Sequence, residues 1–375
     1  DLERSHEALR GAHDHLRDQY QQILDSHSWR ITRPLRASRR VAGALRQARV
    51  WNPLRWPLLA SKLARNLSTL GLRGTLERLQ YFPARAQAPA KKPVAAPVEA
   101  PVAATGAEPR NDLRLPERMP CSEAPRVSVV IPVYNHFEHT AACLASIAET
   151  HCDTPFEVLT VDDASSDETA ARLPQVEGLR YLRNERNLGF IHTCNRGAEQ
   201  AHGEYLVFLN NDTQVQDGWL DRLLETFEAR PDAGLVGARL VYPDGRLQEC
   251  GGLVFRDGSG WNYGRGDDPE RPEYQYLREV DYCSGACVAI RSELFQRLGG
   301  FDVHYAPAYY EDTDLAFKVR EAGFRVYVQP AATVVHFEGV SSGTDIESGT
   351  KRYQAVNREK FLERWREALA LQPEP

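Results

Sequence analysis

After residue 125 the apolar residues follow two alternating patterns. Short β-branched runs have the length and composition of buried strands; they are 127-VSVVIPV, 157-EVLTV, 179-LRYL and 204-EYLVFL. Between them lie segments with helical spacing, such as a predicted helix in which Phe137, Ala141 and Leu144 share one face, and another near residues 190–202. This alternation predicts an α/β fold: a Rossmann-like, mostly parallel sheet with helices on both faces and ligands at the carboxyl ends of the strands.

The first 85 residues predict a helical, basic extension. Leu2, Leu9 and Leu16 are seven residues apart, which favours a coiled coil or, alternatively, one amphipathic helix that packs on its own protein. Residues 30–92 contain fifteen Lys and Arg and one acid, although the whole chain has a net charge of −6. Since Trp residues accompany these cations, we expect residues 29–82 to contact an inner-membrane surface or, alternatively, another part of the protein. Nucleic acid is not an expected partner, because no recognised binding module surrounds the basic residues.

Composition and sequence pattern divide the chain into four regions. The extension, residues 1–85, is followed by a Pro/Ala-rich linker over 86–124, a domain over 125–340 and a helical segment over 341–375. Seven scattered cysteines without zinc-like spacing argue against a disulfide framework and favour the cytoplasm, peripheral to the membrane at most. No apolar run approaches the ~20 residues that span a bilayer. The only Met is Met119, so we expect the sequence to be part of a longer chain with other domains.

Carboxylates follow two of the predicted strands. Asp162 and Asp163 come after 157-EVLTV, and Asp212 comes after 204-EYLVFL. Because the carboxyl ends of parallel strands meet at one edge of a sheet, we expect these groups to face one crevice. There they can accept hydrogen bonds from a nucleotide or hold a hard cation. Taken singly, each is more often a turn or helix-cap residue.

Seven ordered sequence blocks carry a resemblance to a known family. They are 127-VSVVIPVYN, 162-DDASSDET, 184-NERNLGF, 208-FLNNDT, 284-SGACVAIRSELFQRLGGFD, 311-EDTDLAFKVREAGFRV and 336-HFEG. Together they resemble the inverting family 2 glycosyltransferases of the GT-A fold, which include bacterial O-antigen, capsule and rhamnan enzymes. The resemblance implies a nucleoside-diphosphate-sugar donor and a divalent metal, Mg²⁺ or Mn²⁺.

The resemblance also assigns residues to the donor. Pro132, Tyr134 and Asn135 would line the base and ribose, and Asp163 would accept the pyrimidine N3–H, which favours a dTDP- or UDP-sugar. Asn187 and Gly189 would close over the nucleotide. Phe190 after the glycine, and Cys194 where many members have Arg, resemble rhamnosyl- and galactofuranosyl-type transferases. The expected donor is therefore dTDP-rhamnose or a UDP-sugar.

The metal and the base are assigned in the same way. Asn210, Asn211 and Asp212 stand where the family has its DxD motif, and Asp212 would bind the metal together with His336. Asn210 departs from the usual Asp and lowers the charge of the site. For His336 the alternative is a place behind the ligands rather than among them.

Asp312 would be the general base that deprotonates the acceptor hydroxyl. The alternative is that Glu311, Asp312 and Asp314 only enrich the first turn of a helix. Glu311 is left without an assigned role.

The expected activity is transfer of a sugar, with inversion, to a glycan or lipid-linked glycan in bacterial surface polysaccharide synthesis. The aromatic-rich segment 255–282 is expected on the acceptor side. The alternative function is a catalytically weak glycan- or nucleotide-sugar-binding module of a larger polysaccharide synthase. A nucleotidyltransferase would be expected to show a Gly-rich basic loop where this chain has 132-PVYNH.

Overall fold

The computed structural model describes residues 114–338 and 352–375. The coiled-coil-like start, the membrane-surface segment 29–82 and most of the Pro/Ala-rich linker lie outside the described residues and stay predictions. Within the described ranges, no helix is both long enough and apolar enough to cross a membrane.

Strands and helices alternate through the first half of the described chain, as the sequence predicts. The strands are β1 Val127–Val133, β2 Phe156–Asp162, β3 Arg180–Arg183, β4 Tyr205–Leu209, β5 Thr213–Val215, β6 Ala233–Val241, β7 Leu247–Glu249, β8 Gly252–Val254, β9 Gly260–Asn262, β10 Arg278–Glu279, β11 Cys287–Arg291 and β12 Arg325–His336. The α-helices are α1 Phe137–Glu149, α2 Thr169–Arg172, α3 Phe190–Glu199, α4 Trp219–Ala229, α5 Ser292–Arg297, α6 Glu311–Glu321, α7 Tyr353–Arg364 and α8 Arg366–Leu369.

One ten-stranded sheet organises the domain, in the order β10-β12-β6-β11-β4-β1-β2-β3, with β5 added to β12 and β7 to β6. The α/β prediction is confirmed, but the sheet is mixed. β1, β2, β3 and β4 are parallel, whereas β11 runs antiparallel to both β4 and β6. The described chain between β6 and β11 has no α-helix to carry it back across the sheet, so β11 enters from the edge where β6 ended.

Apolar residues cover both faces of the sheet because side chains alternate along each strand. Val129 and Val207 pack with α1 and α4 on one face, and Val130 and Phe208 pack with α3 and α6 on the other. Such burial on both faces explains the continuous apolar runs of the central strands.

Both ends of the described chain pack onto this core. Before β1, Met119 is buried and its N–H donates to the Glu177 carbonyl at 2.8 Å. After residue 352, the face that holds Phe317 of α6 also receives Phe361 of α7 and Trp365, which lies between α7 and α8.

Candidate functional site

The strand directions bring six connections to one edge of the sheet. β1, β2 and β4 end there because they are parallel. β11 begins there, because Cys287 pairs with Leu209 in the antiparallel register. β6 and β12 are parallel to each other and antiparallel to β11, so both end there as well. This edge therefore brings together the residues that follow β1, β2, β4 and β6, the residues that precede β11, and His336.

A cleft of about 620 Å³ opens at this edge, a size typical of ligand pockets. Most of the residues assigned from the sequence line it: Pro132, Tyr134, Asp163, Asn187, Gly189, Asn210, Asn211, Asp212, Asp312 and His336. Phe190 lines it too. Asn135 does not. Its carboxamide oxygen accepts the Ser166 N–H at 2.8 Å, so this side chain joins the loop after β1 to the loop after β2.

The neighbouring carboxylates after β2 face different partners. Asp162 is fully buried and pairs with the Arg183 guanidinium and the Tyr181 hydroxyl, so the expectation that it faces the crevice with Asp163 is wrong. A sheet edge turns successive side chains to opposite sides, which sends only one of two adjacent acids into the cleft. Asp163 faces the cleft and accepts hydrogen bonds from the Leu188 and Gly189 N–H groups, both at 2.8 Å. It thereby holds the loop that carries Asn187.

Asp212 and His336 form a close pair on the floor of the cleft. His336 is the last residue of the twelve-residue strand β12. Its Nε2 lies 3.3 Å from Asp212 Oδ1, and the Phe337 N–H donates to the Asp212 carbonyl at 2.9 Å. Burial alone would raise the pKa of Asp212, but the hydrogen bond and charge of His336 outweigh it and lower that pKa.

The donor atoms of this pair fit a divalent cation only in part. A carboxylate oxygen and an imidazole nitrogen suit Mn²⁺ or Mg²⁺ in a site that is completed by ligand oxygens and water. No group of three or more His, Cys, Asp or Glu able to hold a metal occurs among the described residues. The protein could therefore supply Asp212 and His336, and a bound diphosphate would have to supply further oxygens.

Asp312 lines the cleft from the first turn of α6, and N–H groups of two segments hold its carboxylate. Oδ2 accepts the Gly285 N–H at 3.0 Å, and Oδ1 accepts the Thr313 N–H at 2.6 Å. Burial raises the pKa of Asp312, and these hydrogen bonds offset part of the rise. For Glu311, burial and then the Asp312 charge raise the pKa well above its ordinary value.

The loop that leads into α6 has an unusual backbone held by a distant helix. Tyr309 and Tyr310 have φ values of 76° and 72°, a left-handed conformation that costs energy for side chains of this size. Asn357 of α7 is completely buried, and its amide nitrogen contacts the carbonyls of Tyr305, Ala308 and Tyr309 at 2.7, 2.9 and 3.0 Å. The C-terminal helix therefore stabilises the loop that positions Asp312.

Two polar residues of β7 belong to the site although no sequence motif marks them. Gln248 lines the cleft, and its Oε1 lies 3.1 Å from His336 Nδ1. Glu249 is buried, and its Oε1 accepts the Ser284 N–H at 2.9 Å. Because Ser284 precedes Gly285, consecutive N–H groups of one loop hold Glu249 and Asp312. Burial, and to a smaller degree the Asp312 charge, raise the pKa of Glu249 to about 7.

Comparison with known proteins assigns the central part of the chain to a family. The model of the family described as glycosyl transferase family 2 matches residues 128–299, which contain Asp163, Asp212 and Gly285. Residues 128–299 are a glycosyl transferase family 2 domain. The matched range ends before Asp312 and His336, so the structure, rather than the match, brings these two residues to the cleft of the family 2 domain.

Relatives of the family 2 domain include proteins of very different length. The O-antigen biosynthesis protein RfbC of Myxococcus xanthus is 32% identical over 239 residues, which are 61% of this chain and only 18% of RfbC. The N-acetylglucosaminyl-diphospho-decaprenol L-rhamnosyltransferase of Mycobacterium tuberculosis is 29% identical over 240 residues, 58% of this chain and 78% of that enzyme. The chain thus spans about a fifth of the first relative and most of the second.

A solved structure shows the fold. GalNAc-T7, solved with UDP, GalNAc and Mn²⁺, superposes with a TM-score of 0.50 at 18% identity, covering 64% of this chain and 48% of that one. At this identity the likeness concerns the fold alone, and that fold is GT-A.

Proposed function

We propose that this domain transfers a sugar from a nucleoside-diphosphate sugar to a hydroxyl of a glycan or lipid-linked glycan, with inversion, in bacterial surface polysaccharide synthesis. One observation carries the proposal: a single cleft holds the Asp163 loop, the Asp212–His336 pair and the Asp312 carboxylate. These are the parts that binding a nucleotide, holding a diphosphate and deprotonating an acceptor require.

The donor we propose is dTDP-rhamnose or a UDP-sugar. Asp163 lines the cleft together with Asn187 and Gly189, which supports the proposal that Asp163 accepts a pyrimidine N3–H and that the other two cover the nucleotide. Phe190 also lies in the cleft, and the name of the mycobacterial relative specifies rhamnosyl transfer. The name of RfbC supports a place in O-antigen synthesis.

Asp212 and His336 are the residues that we propose to hold Mg²⁺ or Mn²⁺. When bound, such an ion supplies positive charge that stabilises the charge developing on a leaving diphosphate. Asn210 contributes no charge to this site. The affinity for metal should therefore depend on the donor as well as on the protein.

Asp312 is the proposed general base. As the acceptor oxygen forms its bond to the anomeric carbon, Asp312 takes the hydroxyl proton, and the bond from that carbon to the diphosphate breaks with its electron pair on the diphosphate. The N–H groups of Gly285 and Thr313 keep the carboxylate oriented, and burial makes it more basic than an exposed aspartate.

The regions outside the domain have proposed roles too. We infer that residues 1–85 bring the domain to the inner face of the cytoplasmic membrane through the basic segment 29–82, and that residues 86–124 connect the two. Contact with other domains of a longer chain is the alternative use of this extension.

Thermal stabilisation with a panel of donors tests the donor assignment. Ligand at 100 times its dissociation constant stabilises the native state by about 2.7 kcal/mol. We expect dTDP-rhamnose or a UDP-sugar with Mn²⁺ to raise the melting temperature, and GDP-mannose to leave it unchanged. A response to GDP-mannose alone would contradict the pyrimidine assignment.

Asp312→Asn tests the catalytic role, because Asn preserves the size of the side chain but cannot take the proton. Turnover should fall by about 10²–10⁴-fold while donor affinity changes little. Turnover, donor affinity and melting temperature are measured on one preparation. Near-normal turnover would move the base elsewhere and leave Asp312 as a helix first-turn acid.

A further inference from the structure

Gln248 lies behind His336, on the side of the ring that faces away from Asp212. The contacts run in a line: Glu338 accepts from Gln248 Nε2 at 3.1 Å, Gln248 Oε1 lies 3.1 Å from His336 Nδ1, and His336 Nε2 lies 3.3 Å from Asp212. Gln248 is 3% exposed, so water cannot substitute freely for either partner.

Glu338 fixes which end of the Gln248 amide faces the histidine. Glu338 forms an ion pair with Arg265 at 3.0 Å, and its carboxylate accepts the Tyr242 hydroxyl at 3.0 Å. The group of Gln248 that faces it must be the NH₂. The amide oxygen therefore faces His336 Nδ1, and a hydrogen bond between these two atoms requires the hydrogen on Nδ1.

A hydrogen on Nδ1 leaves Nε2 as the ring nitrogen whose lone pair can bind a cation. Nε2 and Asp212 Oδ1 lie only 3.3 Å apart in a buried environment, so both atoms can face one ion. The tautomer set by Gln248 is thus the one that a cation ligand requires.

We propose that Gln248 is a positioning residue that holds His336 in the Nδ1–H tautomer, so that Nε2 and Asp212 together bind a divalent cation. The proposal rests on the metal-dependent transfer proposed above. It adds that the ligand set depends on a third residue, Gln248, anchored in turn by Glu338.

The test compares Gln248→Met with Gln329→Met. Met has nearly the length of Gln but lacks the amide. Gln329 is a matched control, because both ends of its amide are also bonded, to Thr226 Oγ1 at 3.1 Å and to the Ala331 N–H at 3.2 Å. Mn²⁺ binding, with and without UDP, is titrated by electron paramagnetic resonance of free Mn²⁺. We expect about 10–100-fold weaker binding for Gln248→Met and no change for Gln329→Met. Equal affinity in the two variants would overturn the proposal.

Nuclear magnetic resonance of ¹⁵N-labelled His reads the tautomer directly, without metal or turnover. At a pH where the ring is neutral, His336 should be Nδ1–H in the wild type and should shift toward Nε2–H in Gln248→Met. A wild-type Nε2–H ring would overturn the positioning role while leaving the proposed transfer intact. A wild type that binds no Mn²⁺ but shows the Nδ1–H ring would instead refute the metal part of the proposed function.

Discussion

Replacing Glu249 by Gln removes a titrating group from the interior of the domain while nearly preserving its shape. Glu249 Oε1 accepts the Ser284 N–H, and Oε2 is buried without a hydrogen-bond partner. A carboxylate in this position is costly to ionise, so we expect the native state to keep the proton that the unfolded chain releases.

The magnitude follows from the pKa, which is raised from 4.5 to about 7 in the native state. Below pH 4.5 both states hold the proton. Between pH 4.5 and 7 only the unfolded chain releases it, so the free energy of unfolding falls as pH rises, and above pH 7 it levels off. Each pKa unit corresponds to about 1.4 kcal/mol. From pH 5 to pH 8 this one group should lower the stability of the wild type by about 2.5 kcal/mol, whereas Glu249→Gln lacks this loss.

Urea unfolding at several pH values from 5 to 8 measures the difference, with Glu157→Gln as the control. Glu157 is also buried, but the hydrogen bonds of Ser128 and Arg180 outweigh its burial and lower its pKa. It is ionised in both states over this pH range, so the effect of Glu157→Gln should not vary with pH. If Gln at position 249 lowers the free energy of unfolding by an amount that does not depend on pH, that amount does not affect how the difference in stability changes with pH.

The difference in stability between Glu249→Gln and the wild type should therefore shift by about 2.5 kcal/mol in favour of the variant as pH rises from 5 to 8. If this difference stays constant, Glu249 has an ordinary pKa and the argument from its burial beside Asp312 is wrong.

Three further changes separate binding, loop support and the extension. Asp212→Ala should weaken donor binding and abolish the effect of a chelator on that binding. Calorimetry with and without EDTA measures both quantities, and an unchanged donor affinity together with an unchanged effect of EDTA would contradict the metal assignment. Asn357→Leu should cost about 1–3 kcal/mol by leaving carbonyls unpaired, and should lower turnover; intact turnover at a temperature where the variant is folded would separate the loop from catalysis. Deleting residues 1–110 should leave a folded, donor-binding domain and remove salt-sensitive liposome binding; binding that persists would locate the affinity elsewhere.

The sequence could predict the part of the site that lies at strand ends. Asp163, Asp212 and Asp312 belong to ordered sequence blocks, and the structure brings all three to the cleft. The strand–helix pattern also predicts the sheet from β1 to β4, because burial on both faces leaves continuous apolar runs and helix-periodic segments between them.

The rest depends on contacts between residues far apart in the chain. Nothing about 247-LQE distinguishes Gln248 and Glu249 from ordinary residues of a short strand; only the antiparallel entry of β11 brings Ser284 and His336 to them. Asp162 and Asp163 look equivalent in the sequence, and only the structure shows that Asp162 pairs with Arg183 while Asp163 lines the cleft.

The contact of Asn357 with the loop before α6 also orders events during protein synthesis. The strands, the loop and Asp312 leave the ribosome before α7. The segment with the left-handed residues Tyr309 and Tyr310 is therefore synthesised before the Asn357 side chain that stabilises it. A nascent domain that has already built its sheet would still lack a formed Asp312 loop. We therefore expect the proposed general base to reach its final position only after α7 has left the ribosome.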